Sequence, residues 1–293
     1  ANLSGLPSQS PVVTGIASGT IPANRALCVH SDGKVGLITG TTFTWGALTA
    51  VGSPVEKSSG SYGVLDVAYG DGKVFVITRD DGPVMCIAGT PNADNVSVTW
   101  GSWLEVETST DGANRVIYCA NQNKFVICYS HGTALKTRVA TVTGTTVTVG
   151  ASSQVIGAAP ESVEMVYDPD TYKVIVVYKT GANTPYARVG TISGTSLSYG
   201  TQLTIEASGN SNGPVGVTYD TKNNKVIIAL GYDGSNSNRG WSYIGTVSGT
   251  DITAVSAGEI NYNYSGSTRL QLIYDEEREK IVFTGFNINN LQY

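Results

Sequence analysis

VEMVYDPDTYKVIVVY (163–178) decides how this chain is built, because close relatives of the phrase occur along its whole length. Two runs rich in Val and Ile flank a polar corner, Asp168-Pro169-Asp170-Thr171, which reads as a β-hairpin around a tight turn. The other copies are VLDVAYGDGKVFVI (64–77), NRVIYCANQNKFVICY (114–129), VGVTYDTKNNKVIIAL (215–230) and LQLIYDEEREKIVFTGF (270–286). Each carries an anchoring tyrosine (Tyr69, Tyr118, Tyr167, Tyr219, Tyr274), at intervals of 49, 49, 52 and 55 residues, with a Lys a few positions later. A period of that size marks stacked supersecondary units.

A second phrase alternates with the first: VGLITGTTFTWGALTAV (35–51), SVTWGSWLEV (97–106), VATVTGTTVTVGASSQV (139–155), VGTISGTSLSYGTQLTI (189–205) and IGTVSGTDITAVSAGEI (244–260). β-Branched residues dominate, and a Gly-Thr pair marks the corner at Gly40-Thr41, Gly144-Thr145, Gly194-Thr195 and Gly249-Thr250. In the second copy Gly89-Thr90 takes that role, followed by an insertion at Pro91-Asn92-Ala93-Asp94. One repeat is therefore two hairpins, four antiparallel strands a to d, and no long window shows a helical period. Four-stranded units of this length predict the blades of a β-propeller.

The order of the phrases sets the closure. The chain starts with a c–d hairpin (35–51) and ends with an a–b hairpin (270–286), each leaving an open sheet edge. The expectation is an all-β, five-bladed β-propeller of four-stranded antiparallel blades over residues 34–293. It is closed by pairing the N-terminal c–d hairpin with the C-terminal a–b hairpin, and residues 1–33 form an extended N-terminal arm.

The 293 residues include 35 glycines, only 14% are charged, and the net charge is −5. With no cluster of Lys or Arg, this argues against nucleic acid and anionic membrane as partners, and no apolar run reaches the length of a membrane span. Cys28, Cys86, Cys119 and Cys128 show no zinc-type spacing with histidine, so neither a metal nor a cofactor is expected. Ala1 reads as the residue left after removal of an initiator Met, and ANLSGLPSQSPVV lacks a signal pattern, so synthesis in the cytoplasm without secretion is expected.

Two groups of residues are candidates for a site. The a–b and c–d turns are monotonous, whereas the loops at the opposite end vary, which is where recognition tends to sit. There Tyr232, Asp233, Arg239 and Trp241 in GYDGSNSNRGW (231–241), with Tyr262 and Tyr264 in NYNYSGSTR (261–269), suit a saccharide: rings cover sugar C–H faces while polar groups bind hydroxyls. The competing reading is a set of solvated turns. The second group lies three residues before each tyrosine: Asp66, Arg115, Glu164, Gly216 and Gln271. Strand alternation sets these apart from their mostly apolar neighbours and directs them toward a central channel. Asp66 and Glu164 flanking Arg115 form either the carboxylate pair of a glycosidase or a channel-lining ion-pair ring. Gly216 and Gln271 supply no third acid, and His30 and His131 are isolated, so no catalytic residue is assigned.

Residues 11–38, PVVTGIASGTIPANRALCVHSDGKVGLI, followed by the "V-x-Y-D-x-x-x-x-K-V-I-V" and "G-T-I-S-G-T-S-L-S-Y-G" phrases, resemble tailed-bacteriophage virion appendage proteins of the tail-fibre, tail-tip or capsid-surface kind. The resemblance covers nearly the whole chain, and its motifs mark strands and turns. It implies a non-enzymatic virion structural protein, homo-oligomeric and docked to other virion subunits, with a host-surface polysaccharide as ligand. The alternatives are a cellular or secreted lectin-like propeller and a polysaccharide-cleaving glycosidase using Asp66 and Glu164.

Overall fold

The computed structural model describes residues 27–29, 35–37, 66–79, 82–93, 98–108, 114–181, 183–206, 213–234, 237–263 and 270–285. The chain divides into two units, Ala1–Thr49 and Ala50–Tyr293. In the first, β1 (Leu27–Val29) pairs antiparallel with β2 (Val35–Leu37), so a hairpin begins inside the segment read as an extended arm.

The second unit is a series of antiparallel sheets. The first joins β3 (Asp66–Gly70), β4 (Lys73–Arg79), β5 (Val84–Pro91) and an outer strand broken into β6 (Val98–Trp100) and β7 (Leu104–Glu107). The second has β8 (Asn114–Cys119), β9 (Lys124–His131), β10 (Ala134–Thr143) and the outer pieces β11 (Thr146–Val149) and β12 (Ser153–Ile156). The third has β13 (Pro160–Asp168), β14 (Lys173–Thr180), β15 (Pro185–Ser193), β16 (Ser196–Tyr199) and β17 (Leu203–Thr204). The fourth is β18 (Val215–Asp220), β19 (Lys225–Gly234), β20 (Ser237–Ser248) and an unbroken β21 (Asp251–Asn263). The last is the two-stranded sheet of β22 (Leu270–Asp275) and β23 (Lys280–Gly285). Among the described residues the one helical element is a 3₁₀ turn at Ala120–Gln122.

The first strands β3, β8, β13, β18 and β22 pack side by side in chain order. Apolar faces of neighbouring sheets fill the wedges between them. Phe75, Ile77 and Cys86 meet Val116, Phe125 and Ile127 at the first junction, and Phe75 and Phe125 stack at 4.7 Å. Cys128, Val139 and Val155 meet Val163, Val174 and Val176 at the second. Ile175, Val177 and Val189 meet Val217, Val226 and Ile228 at the third.

The repeated polar residues are fasteners. Each Lys opening a second strand donates across the sheet to a threonine of the third: Lys73 to Thr90, Lys124 to Thr141, Lys173 to Thr191 and Lys225 to Thr246, at 2.7–2.9 Å. Tyr118, Tyr167, Tyr219 and Tyr274 reach the turn of the preceding sheet. The ring of Tyr118 lies on Gly70, where a Cβ would approach within 2.0 Å, and burial together with the Asp168 carboxylate pushes the Tyr219 hydroxyl up in pKa. Asp168 also holds its own corner by accepting from the Asp170 and Thr171 N–H groups. Cys119 stands where Asp168 and Asp220 stand in the next repeats; the turn tightens to 3₁₀, and Tyr167 donates to Asn121 and Gln122 instead.

Two details differ from the sequence reading. Gly89-Thr90 is not a corner: both lie inside β5, with Thr90 opposite the second-strand Lys like Thr141 and Thr191. The outer strands break after a glycine in three sheets, at Gly101, Gly150 and Gly200. Each donates its N–H to a third-strand carbonyl (of Ala88, Val139 and Val189) at 2.9 Å. A Cβ on Gly101, Gly150 or Gly200 would lie 2.0–2.1 Å from the carbonyl oxygen of Thr145, Thr195 or Thr250, in the Gly-Thr turn of the following sheet. These glycines let each corner dock on its neighbour. The fourth sheet has Ser256 at this position, and its outer strand runs on for 13 residues.

Two outer strands carry an aromatic ring at the same register, Trp100 and Tyr199, for a local reason. Trp100 is opposite Gly89 and Tyr199 opposite Gly190, whereas Val149 is opposite Ala140. A ring fills the space that a missing third-strand side chain leaves.

Candidate functional site

The residues three before each tyrosine converge, as strand alternation requires. A cavity of about 420 Å³ is lined by Asp66 of β3, Arg115 of β8, Ser162 and Glu164 of β13, and Gln271 of β22, over an apolar floor that includes Val116, Met165 and Leu272. The first inner strand and the last thus face one space. A second cavity of about 340 Å³ lies against Glu164, Gly216 and Gln271. At Gly216 the polar series is interrupted because Leu272 fills the position: a Cβ there would lie 2.3 Å from its Cδ1.

The charged groups are ordered. Arg115 donates through Nη2 to Glu164 Oε1 at 2.7 Å and through Nη1 to the Asn114 carbonyl at 2.8 Å. Burial works against the guanidinium's charge, but the bond to Glu164 and the charges of Glu164 and Asp66 outweigh it and push the Arg115 pKa up. Asp66 engages backbone: Oδ1 accepts from the Val67 N–H at 3.0 Å and Oδ2 from the Val116 N–H of the next inner strand at 2.8 Å. Arg115 is therefore hydrogen-bonded to one carboxylate and only near the other. Sequence alone leaves that asymmetry open, because Asp66 and Glu164 share one register.

These side chains lie toward the starting ends of their strands, the end at which second and third strands connect. There the fourth sheet stands taller than the third. β19 and β20 continue past Leu230↔Trp241 through Gly231↔Gly240, Tyr232↔Arg239, Asp233↔Asn238 and Gly234↔Ser237. β14 and β15 make one further rung, Lys179↔Pro185, past the equivalent Tyr178↔Tyr186. At about 3.4 Å per residue, the hairpin rises some 10 Å higher. The candidate stretches are strand where described: Tyr232, Asp233 and Arg239 lie in the hairpin and Tyr262 in β21. Backbone pairing needs no apolar residues, so the Gly/Asn/Ser composition hid it. Trp241 is partly buried and packs against the third-junction core. Tyr264 lies outside the described residues.

A further polar cluster, missed in the sequence, bridges the first two sheets. Tyr129 donates to Glu107 at 3.1 Å, Arg138 donates to Tyr129 at 3.1 Å, and Lys136 contacts His131 Nδ1 at 2.9 Å. The third junction has a counterpart, Tyr243 donating to Glu206 at 3.1 Å. Among the described residues no three His, Cys, Asp or Glu side chains group as metal ligands.

No protein-family profile and no curated protein matches the chain. Solved structures do. A protein from Lactobacillus plantarum is similar at 12% identity over 76% of this chain and 64% of its own, with a TM-score of 0.54. Four-stranded antiparallel sheets packed side by side in chain order are consistent with a propeller fold. Two weaker likenesses are to carbohydrate enzymes. One is an exo-β-1,3-galactanase from Phanerochaete chrysosporium, at 10% identity over 75% of this chain and 55% of that one, TM-score 0.46. The other is a thermostable family-43 glycoside hydrolase, at 11% identity over 76% and 82%, TM-score 0.40. The chain spans about half to two-thirds of the length of the first four matches. At such identities the likeness is one of fold. It corrects the expectation of a non-enzymatic phage structural protein: the architecture on which that expectation leaned stands beside glycoside hydrolases, so it gives no ground for denying catalysis or for a virion role.

Proposed function

We propose that the protein is a glycoside hydrolase whose reaction centre is the mouth of the inner-strand cavity, with Asp66 and Glu164 as its carboxylate pair. One observation carries this reading: three successive inner strands deliver a carboxylate, a guanidinium and a carboxylate to a single cavity. Cleaving a glycosidic bond requires one carboxyl to protonate the departing oxygen and a second carboxylate to activate water or attack the anomeric carbon. Asp66 suits the second role, since N–H groups aimed at both of its oxygens favour the ionised form. Glu164 gives its proton to the bridging oxygen as that bond breaks. Water adds to the anomeric carbon and passes its proton to Asp66. Arg115, hydrogen-bonded to Glu164 at 2.7 Å, holds that carboxyl in place within the cavity.

The test is release of new reducing ends from aryl glycosides and from a panel of galactan, arabinan, xylan and mannan. Glu164→Gln and Asp66→Asn should each lower kcat by about 10²-fold or more, the usual scale of general acid–base catalysis. No turnover of any substrate by the wild type, or equal turnover by Glu164→Gln, refutes the assignment.

We also propose that the ring has five blades, closed by residues 35–51 completing the β22–β23 sheet. Val67 and Tyr69 occupy the register of Val217 and Tyr219, which are buried at the third junction, yet are 58% and 65% exposed. Ile273 and Val282 hold the register of Val166 and Ile175 on the opposite side of that junction and are 66% and 43% exposed. The two faces are matching halves of one further wedge. Deleting residues 1–51 should lower the denaturation midpoint; an unchanged midpoint counts against closure.

A further inference from the structure

We infer that the cavity discriminates by charge, accepting neutral sugars and excluding uronic acids, because the Arg115–Glu164 pair locks away its cation. The inference builds on the reading of the cavity as a glycan site. Among the described residues, Arg115 is the one cationic side chain lining this space. Its Nη2 is held by Glu164 at 2.7 Å and its Nη1 by the Asn114 carbonyl at 2.8 Å. The remaining polar lining, Ser162 and Gln271, is uncharged and suits hydroxyl groups. A sugar carboxylate entering here meets Asp66 and Glu164 with the guanidinium already engaged. Like charges in a site of reduced dielectric repel strongly enough to cost at least about tenfold in affinity.

The lock has a testable key. Removing the Glu164 carboxylate releases the Arg115 Nη2, and a uronate carboxylate brings the planar acceptor that a guanidinium binds best. Glu164→Gln should therefore gain affinity for uronates, by about 10- to 100-fold on the scale of charged hydrogen bonds.

Titration calorimetry with three matched pairs of trisaccharides tests this: gluco- and glucurono-, galacto- and galacturono-, manno- and mannurono-. The wild type is expected to bind at least one neutral member tenfold or more above its uronate partner. Glu164→Gln should then bind that uronate at least tenfold better than the wild type does, and Arg115→Gln/Glu164→Gln should lose the gain. Glu164→Ser, which also strips Arg115 of its carboxylate, covers the case in which the first variant does not fold. A wild type that binds uronates as well as neutral sugars, variants without the gain, or no binding of any member overturns the inference. Binding is the readout throughout, so absent turnover refutes the hydrolytic reading separately.

Discussion

Gly150→Ala tests the docking of each corner on the preceding sheet. Gly150 has no positive φ among the backbone exceptions, so alanine meets no conformational obstacle there. Its Cβ would lie 2.0 Å from the Thr195 carbonyl oxygen and 2.7 Å from the Thr195 Cβ, against about 3.4 Å for ordinary contact. The obstructing atom is backbone within a tight turn, so relief requires the second and third sheets to part by about 1 Å. Overpacking of this kind costs roughly 1–3 kcal/mol, and the upper end applies where no side chain can swing aside. Gly144→Ala is the control: its φ is +63° with open space beyond, so it carries a backbone cost of about 1–2 kcal/mol and no clash. Guanidinium denaturation followed by tryptophan fluorescence should therefore rank Gly150→Ala below Gly144→Ala, with the m-value unchanged. A Gly150→Ala protein within about 0.5 kcal/mol of the wild type would refute the docking argument.

Lys124→Met removes the donor to Thr141 across the second sheet and should cost about 1 kcal/mol by the same assay. Burial pushes the Glu107 carboxyl up, but the Tyr129 hydroxyl, the Thr108 N–H and the charges of His131 and Lys136 together hold it below the usual range. Its contribution is therefore complete above the ordinary glutamate pKa and fades as pH falls through the lowered value, so Glu107→Gln should flatten the acid limb of stability against pH. Burial raises the thiol pKa values of Cys86, to about 12, and of Cys119 and Cys128 further still. Peptide mapping after iodoacetamide treatment near pH 8 should find all three unlabelled in the native protein and labelled after unfolding. Arg115→Gln removes the group that holds Glu164 in place, so kcat on an aryl glycoside should fall by roughly 10²-fold; an unchanged kcat removes the pair from the reaction centre.

The hairpins and the inner polar series were legible because period-two alternation is a strong signal when one strand face is buried. Asp66, Arg115 and Glu164 fell out of that parity and meet in one cavity. Illegible features had physical reasons. Gly89-Thr90 matches the corner dipeptide, yet third-strand glycines opposite Trp100 and Tyr199 leave the same signature. The hairpin beyond Gly231 is held by backbone pairing and carries Tyr, Asp, Asn and Ser, so no apolar alternation betrays it. The glycines that break the outer strands look like any turn glycine until the neighbouring corner is seen against them.

Those docking contacts also imply an order of assembly. Gly101 meets Thr145, Gly150 meets Thr195 and Gly200 meets Thr250, so each junction joins residues about 45–50 apart in the chain. Asp66 and Gln271 share a cavity although about 205 positions separate them. Bringing those ends together carries roughly 1.3 kcal/mol more loop entropy than forming a neighbouring junction. Sheets can therefore add one after another as the chain leaves the ribosome, bringing Asp66, Arg115 and Glu164 together through neighbouring junctions, while the far wall of the cavity at Gln271 waits for the most distant encounter. If the proposed hydrolysis holds, activity should appear in refolding later than secondary structure, because Gln271 reaches Asp66 last.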